Sequence, residues 1–461
     1  MKRFRMPTAY SILFLLIILV AAATWIIPAG SYQRIGGVPV PGTYQAAEAS
    51  PQGLGAVAKA AFSGFYDAVD VCVFILMVGG FLGVVMKSGA IDAGVSNVIA
   101  RLGGREKWLI PILMLLFGLG GTTYGMWEET MAFYPLLIPV FLAAGYDAVV
   151  GISVILLGAG AGVMASTVNP FATGIAAGFA GVSLGDGIGL RLLQWALFEG
   201  LAIWYVMAYA ERVRRDPSRS VVGVGSGSLR VDAQEVLPLT ARRKAILALF
   251  AGAFLLMTYS VIPFDEMGLS LPSWGWWFPE LSALFLVSGI VIGLVDRRRE
   301  DEIAETFVAG CADMLGVALI IGISRGITVL MNDGSVTDTV LHWGESALRG
   351  TGRVGFVLLV FLLYLPLSFL IPSSSGLATL SVPIVAPLGQ FAGVSGALVV
   401  TAFQSACGLV NLITPTAAVV MGALALGHVP YDRWVKFAWK LLAGFLALTL
   451  LLLALGAVMG G

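Results

Sequence analysis

Two adjacent carboxylates, Glu128 and Glu129, follow the small-residue run GGTTYG (120–125) inside an otherwise apolar stretch. With no basic residue close to them in sequence, the pair can share a proton, hold a monovalent cation or receive an amine. An ionisable side chain at the centre of a membrane helix costs roughly 2.5 to 3.5 kcal/mol, so such residues mark functional positions by default. Four short runs supply neutral oxygens to the same chemistry. Thr122 and Thr123 stand in the first, Ser166, Thr167 and Asn169 in STVNP (166–170), Ser373, Ser374 and Ser375 in PSSSG (372–376), and Asn411, Thr414 and Thr416 in NLITPT (411–416). A proline removes one helical donor and clashes with the preceding turn. STVNP and NLITPT are therefore expected to break helices, freeing carbonyls and half-helix ends beside hydroxyl and amide oxygens. Such a set suits a dehydrated cation such as Na+ or an anionic group of a small-molecule substrate, and the glutamates add a route for H+. A plainer reading stands beside this one: the hydroxyls mend backbone bonds at the breaks, and the glutamates cap the first turn of the following helix.

The elements that must position these groups lie in lipid. Hydrophobic residues make up 58% of the chain and charged ones 12%, against about half and a quarter in soluble proteins. Apolar spans at 8–28, 66–88, 148–182, 190–210, 243–261, 280–296, 305–331, 396–426 and 434–458 approach or exceed the roughly 20 residues that cross a hydrocarbon core. Segments 107–143 and 353–388 are longer and are interrupted at the Gly/Thr and Ser runs, which predicts two re-entrant hairpins. Of the 27 basic residues, all but Arg34, Lys59, Arg191, Arg325, Arg349 and Arg353 then fall on one side, the cytoplasm by the positive-inside rule. The expected fold is an all-α polytopic membrane protein in a bacterial-type inner (plasma) membrane, with the lipid bilayer around it, a cytoplasmic N-terminus and an external C-terminus. It has about nine transmembrane helices plus the two hairpins.

An internal repeat orders these spans. At an offset of about 245 residues, GFLGVVMKSGAIDAGV (80–95) lies over RGITVLMNDGSVTDTV (325–340), and within a few residues Pro135 and Pro139 meet Pro383 and Pro387, and Asn169-Pro170 meets Thr414-Pro415. The reading is two inverted halves: 1–215 with hairpin 107–143 and broken helix 148–182, a cytoplasmic linker 216–242, and 243–461 with hairpin 353–388 and broken helix 396–426. Inverted repeats place their site near the midplane between the halves. Among lesser candidates, Glu199 and Arg325 are expected as a buried ion pair holding the scaffold, with a direct substrate role as the alternative, and Gln404 and Ser405 line the cavity or bond between helices. Gly79/Gly83 and Gly174/Gly178 are close-packing positions. Trp274, Trp276, Trp277 and Phe278 form an outer aromatic belt.

The runs GTTYGMWEETMAFYPLLIP, ASTVNPFATG, PSSSGLATLSVPIVAPLG and NLITPTAAVVMG, with the opening PTAYSILFLLIILVAAATWIIPAGSY, resemble the YfcC-type branch of the C4-dicarboxylate anaerobic carrier family, within the ion transporter superfamily. The resemblance covers nearly the whole chain. It implies an elevator-type secondary transporter and a homodimer, in which hairpins and broken helices slide against a scaffold. The favoured substrate is a basic or other amino acid, the alternative a C4-dicarboxylate, with coupling to an ion gradient or to exchange. Relatives carry Ser-Asn-Thr-like triplets at the hairpin tips; here the tips read Gly121-Thr122-Thr123 and Ser373-Ser374-Ser375, without the Asn.

Other classes fit less well. No G-x-x-x-x-G-K-[ST] phosphate loop occurs, which argues against a pump driven by this chain's own ATPase. GVSG (393–396) resembles an intramembrane serine nucleophile motif, but His342 and His428 are both placed near span ends, which argues against an enzyme. No cofactor, structural metal or nucleic-acid partner is expected. Cys72, Cys311 and Cys407 stand singly in apolar segments as packing residues. A passive channel is the remaining alternative.

Overall fold

In a computed structural model, the protein is described over residues 9–459, apart from 36–37, 41, 92, 95–96, 98–105, 124, 184, 224–237, 262–263, 265–269 and 277. It is built almost wholly of helices. Glycine matching brings the first group together. α1 (Ala9–Ala23), α2 (Leu54–Asp67), α3 (Val69–Lys87), α9 (Ala241–Val261), α10 (Phe278–Val295) and α11 (Glu300–Asp333) pack around the antiparallel pairing of α2 and α3 with α11. A Cβ added at Gly64 would lie 2.2 Å from Gly322 O, and one at Gly310 would lie 2.3 Å from Gly79 O. Only glycine permits this backbone approach, which replaces the absent hydrophobic drive between helices in lipid with close van der Waals contact.

The crossing expected at 66–88 is longer than its hydropathy suggests. α2 and α3 run from 54 to 87 with one interruption at Ala68 (φ −116°, ψ 24°). Lys59, Ser63, Asp67 and Asp70 dilute the apolar signal of its first half, while Ala60 and Gly64 hold that half against Gly326 and Gly322.

The second group holds the segments expected as hairpins and broken helices. α4 (Leu109–Thr123), a 3-10 turn (Glu128–Phe133) and α5 (Tyr134–Ala143) cover the first expected hairpin segment; α13 (Arg353–Leu370) and α14 (Ser374–Phe391) cover the second. Each leans on a broken helix. α6 (Ala148–Met164) is followed by a π-helical turn (Pro170–Gly174) and α7 (Ile175–Ala180), and α15 (Gly396–Asn411) by α16 (Ala418–Leu426). α8 (Ile188–Arg215) and α17 (Tyr431–Met459) close the group. Gly79 and Gly83 serve close packing as expected, but Gly178 has nothing within 4 Å of where a Cβ would be. By length and composition α3, α8, α10, α11, α13 and α17 can each cross a membrane, and α1, α6 and α15 contain shorter apolar helices.

Lys87, Arg298 and Arg242 gather at one end: Arg298 donates to Lys87 O at 3.1 Å and Arg242 to Asp296 O at 3.3 Å. The opposite end carries a cap of α12 (Thr337–Leu348) and the short strands β1 (Gly30–Ser31), β2 (Arg34–Ile35), β3 (Val38–Pro39) and β4 (Gln45–Ala46), paired β1–β4 and β2–β3.

Candidate functional site

Non-helical backbone inside a membrane survives only when its polar groups are bonded. At the first break Thr122 and Thr167 do this reciprocally. Thr122 Oγ1 donates to Ala165 O (3.0 Å), Thr167 Oγ1 to Thr122 O (2.9 Å), and Thr167 N to Thr122 O (2.9 Å). Ser166 Oγ accepts from Thr173 Oγ1 at 2.7 Å. At the second break Thr414 and Thr416 hydroxyls lie 2.8 Å apart and Thr416 Oγ1 donates to Phe369 O (2.9 Å). The freed carbonyls of Leu412, Ile413 and Thr416 accept from Trp434 Nε1 (3.0 Å), Tyr431 OH (2.7 Å) and Ser324 Oγ (2.6 Å). Ser166, Thr122, Thr167, Thr414 and Thr416 therefore spend their hydroxyls bracing tips and breaks. Thr123 turns its hydroxyl back to Leu119 O (2.6 Å) and does not line the cavity.

The other sequence candidates converge. A cavity of about 190 Å³ is lined from the second group by Gly125, Trp127, Glu128, Glu129, Asn169, Ser373, Ser374, Ser375 and Asn411, and from the first by Asp67, Asp70, Val71, Phe278 and Arg325. An adjoining space of about 40 Å³ shares Glu128, Arg325 and Asn411 and adds Ser324 and Thr416. Gly125 adopts φ +82° with the Asn169 amide directly against it; a Cβ there would lie 2.4 Å from Asn169 Nδ2. Glycine is thus required for both the turn and the contact. Ser373 caps α14, its Oγ accepting from Gly376 N at 3.2 Å. Glu129 Oε2 accepts from Trp127 N at 3.1 Å, which gives that residue the capping role of the plainer reading as well as a place in the wall. Asn411 is 8% exposed and its Oδ1 has no partner.

Four carboxylates, Asp67, Asp70, Glu128 and Glu129, thus face one guanidinium, Arg325. Glu128 is within electrostatic reach of Arg325 and Asp70, yet among the described residues none of the five forms an ion pair within 4.0 Å. A site so built has an excess of negative charge and one fixed positive group, which fits a ligand carrying both a cationic group and a carboxylate.

The expected Glu199–Arg325 pair does not form. Arg325 on α11 lines the cavity, while Glu199 on α8 belongs to the other group, 2% exposed, against Gly118 of α4. Gln404 bonds between helices, its Nε2 donating to Val163 O at 2.7 Å. Phe278, expected in the aromatic belt, lines the cavity instead. Sequence reasoning missed Asp67 and Asp70. Both fall inside the span expected from 66, where two acidic residues three apart were the available signal; the structure sets them on either side of the interruption at Ala68.

A family model described as "C4-dicarboxylate anaerobic carrier" matches residues 6–458. An "Uncharacterized protein" of Haemophilus influenzae is 34% identical over 504 residues, covering 98% of this chain and 97% of its own. The Escherichia coli protein named "Putative basic amino acid antiporter YfcC" is 31% identical over 412 residues, 87% of this chain and 79% of its own. The solved Alcanivorax borkumensis YdaH transporter aligns over 98% of this chain and 99% of its own, with a TM-score of 0.48 and 16% identity. The chain belongs to the C4-dicarboxylate anaerobic carrier family and is a multi-pass membrane transporter, not an enzyme.

Proposed function

We propose that the protein is an elevator-type secondary transporter of basic amino acids, working as a homodimer in the inner membrane with its basic end in the cytoplasm. In this reading nine crossings and two re-entrant hairpins form two inverted halves. The group of hairpins and broken helices carries the substrate against the group built on α3 and α11. The observation that carries the substrate assignment is the cavity's four carboxylates around one guanidinium. Arg325 takes the substrate's carboxylate, a bidentate match that Lys would not provide. Asp67, Asp70 and Glu128 take the α-amino group and the side-chain cation. Ser373, Ser374, Ser375, Asn169 and Asn411 complete the shell with neutral oxygens, which also suit Na+, while Glu129 offers a route for H+ if the cycle is ion-coupled. The name of the Escherichia coli relative agrees with a basic amino acid; the family's own description favours a C4-dicarboxylate, which is the second reading.

Counterflow in proteoliposomes separates the two readings. Vesicles preloaded with arginine or ornithine should accumulate labelled arginine saturably, and vesicles preloaded with succinate should not. Exchange of succinate with no exchange of arginine would make the dicarboxylate reading correct, and unsaturable flux of either would point to a passive channel.

A further inference from the structure

A second and larger cavity, of about 410 Å³, lies on the same seam between the helix groups, nearer the basic end. α3 and α11 line one wall with Gly79, Gly83, Gly310 and Asp313, and α5 lines the other with Pro135 and Pro139. Its relation to the polar cavity follows from the packing of α2 and α3 on α11. Gly64 lies on Gly326 and Gly310 on Gly80. Because 310 minus 64 and 326 minus 80 are both 246, an offset of 246 residues exchanges these two contacts. The centre of the exchange is where Cys72 Sγ donates to Ala318 O at 3.5 Å, and 318 minus 72 is again 246.

The same offset carries Asp67 onto Asp313. Asp67 lies before the centre, toward the cap, in the wall of the polar cavity; Asp313 lies before it on the antiparallel helix, toward the basic end, exposed in the wall of the larger one. With 1.5 Å rise per residue, the ten-residue difference in level puts the two carboxylates about 15 Å apart along the axis of the pair. The offset also carries Arg325 onto Gly79 and Asp70 onto Gly316, so the acceptor for a cation is repeated but the partner for a carboxylate is not.

We infer that the larger cavity is a second substrate station, in which Asp313 receives the cationic group after the hairpin tips have travelled toward the basic end. This rests on the moving-group reading above. Glu128, Asn411 and the Ser373–Ser375 tip travel with the substrate, while Asp67, Asp70 and Arg325 stay behind. His428 also lines the larger cavity, but it follows α16 and travels with the second group. At the second station the cation has a new partner and the stationary wall offers the carboxylate none, so binding there is weaker and release is directed to the basic end.

Two measurements test the inference. In protein lacking Cys72, Cys311 and Cys407, Ser375→Cys is paired with Asp70→Cys or with Gly316→Cys and treated with a short bifunctional thiol reagent. Both pairs should link, and linkage only to position 70 under every condition would overturn the second station. This readout needs no substrate, so it stands even if arginine is not carried. In proteoliposomes sided by impermeant labelling, Asp313→Asn should raise the half-saturating arginine concentration at the basic end about tenfold and leave the other face within about twofold. No change, or an equal change at both faces, would remove Asp313 from the station.

Discussion

In the cap at one end of the molecule, Asp338 accepts from Arg34 Nη2 (2.8 Å) and from Tyr32 N (3.0 Å), and Glu345 accepts from Arg349 Nη2 (2.8 Å) and Tyr32 OH (2.7 Å). In the polar cavity the same residue types, Asp67, Asp70, Glu128, Glu129 and Arg325, stand together without one close ion pair among the described residues. Both regions join distant parts of the chain. The cap has bonded its charges to each other and so fixes Tyr32 and Arg34 on α12. The cavity has left its charges to be neutralised by something that arrives. Breaking a paired charge removes stability; breaking an unpaired one at a site removes binding.

The largest expected effect is at Arg325. Arg325→Ala should lower arginine transport at limiting substrate by about 100-fold, the loss expected when one side of a desolvated charge pair is truncated, with the detergent melting temperature little changed. Asp70→Asn should cost about tenfold in apparent affinity, measured by the same uptake assay. If either variant transports normally but melts early, the cavity charges are structural like those of the cap.

The cap should respond the other way. Glu345→Gln or Tyr32→Phe should destabilise by about 1 to 3 kcal/mol in thermal unfolding, because a buried partner is left unmatched, with arginine affinity unchanged. Burial pushes the Glu345 carboxyl up, but hydrogen bonds from Tyr32, Arg349 and His342 outweigh it and hold the carboxyl below its ordinary range. A carboxyl depressed in the folded state stabilises above its unfolded value and loses that contribution as pH falls through the folded one. Thermal stability of the wild type should therefore fall on acidification below the ordinary carboxylate range, and less so in Glu345→Gln. A shift in arginine affinity in that variant would merge the two regions into one functional unit. The smallest effect separates brace from site: Thr122→Val should lower stability by about 1 kcal/mol without changing selectivity.

The helical framework was legible because apolar spans and proline breaks follow from hydrocarbon thickness and backbone bonding. The runs STVNP, NLITPT and PSSSG were found for the same reason. Which of their oxygens face the cavity was not legible. Thr167 and Thr416 are bonded to backbone 45 or more residues away, and only tertiary proximity decides whether a hydroxyl braces a break or faces a ligand. Asp67 and Asp70 were lost in the other direction, and Arg325 was singled out but given the wrong partner. The crossing that carries the two aspartates hides its length behind polar residues, and Gly64, Gly322 and Gly326 carry a packing signal that hydropathy does not register.

The central claim is that the unpaired carboxylates await a cationic substrate. Equilibrium binding of arginine and of citrulline, its neutral counterpart of nearly the same shape, to purified wild-type and Glu128→Gln protein tests it most directly. Arginine should bind the wild type at least about tenfold more tightly than citrulline, with the gap narrowed in Glu128→Gln. Equal binding of the two by the wild type, or succinate binding more tightly than both, would contradict it.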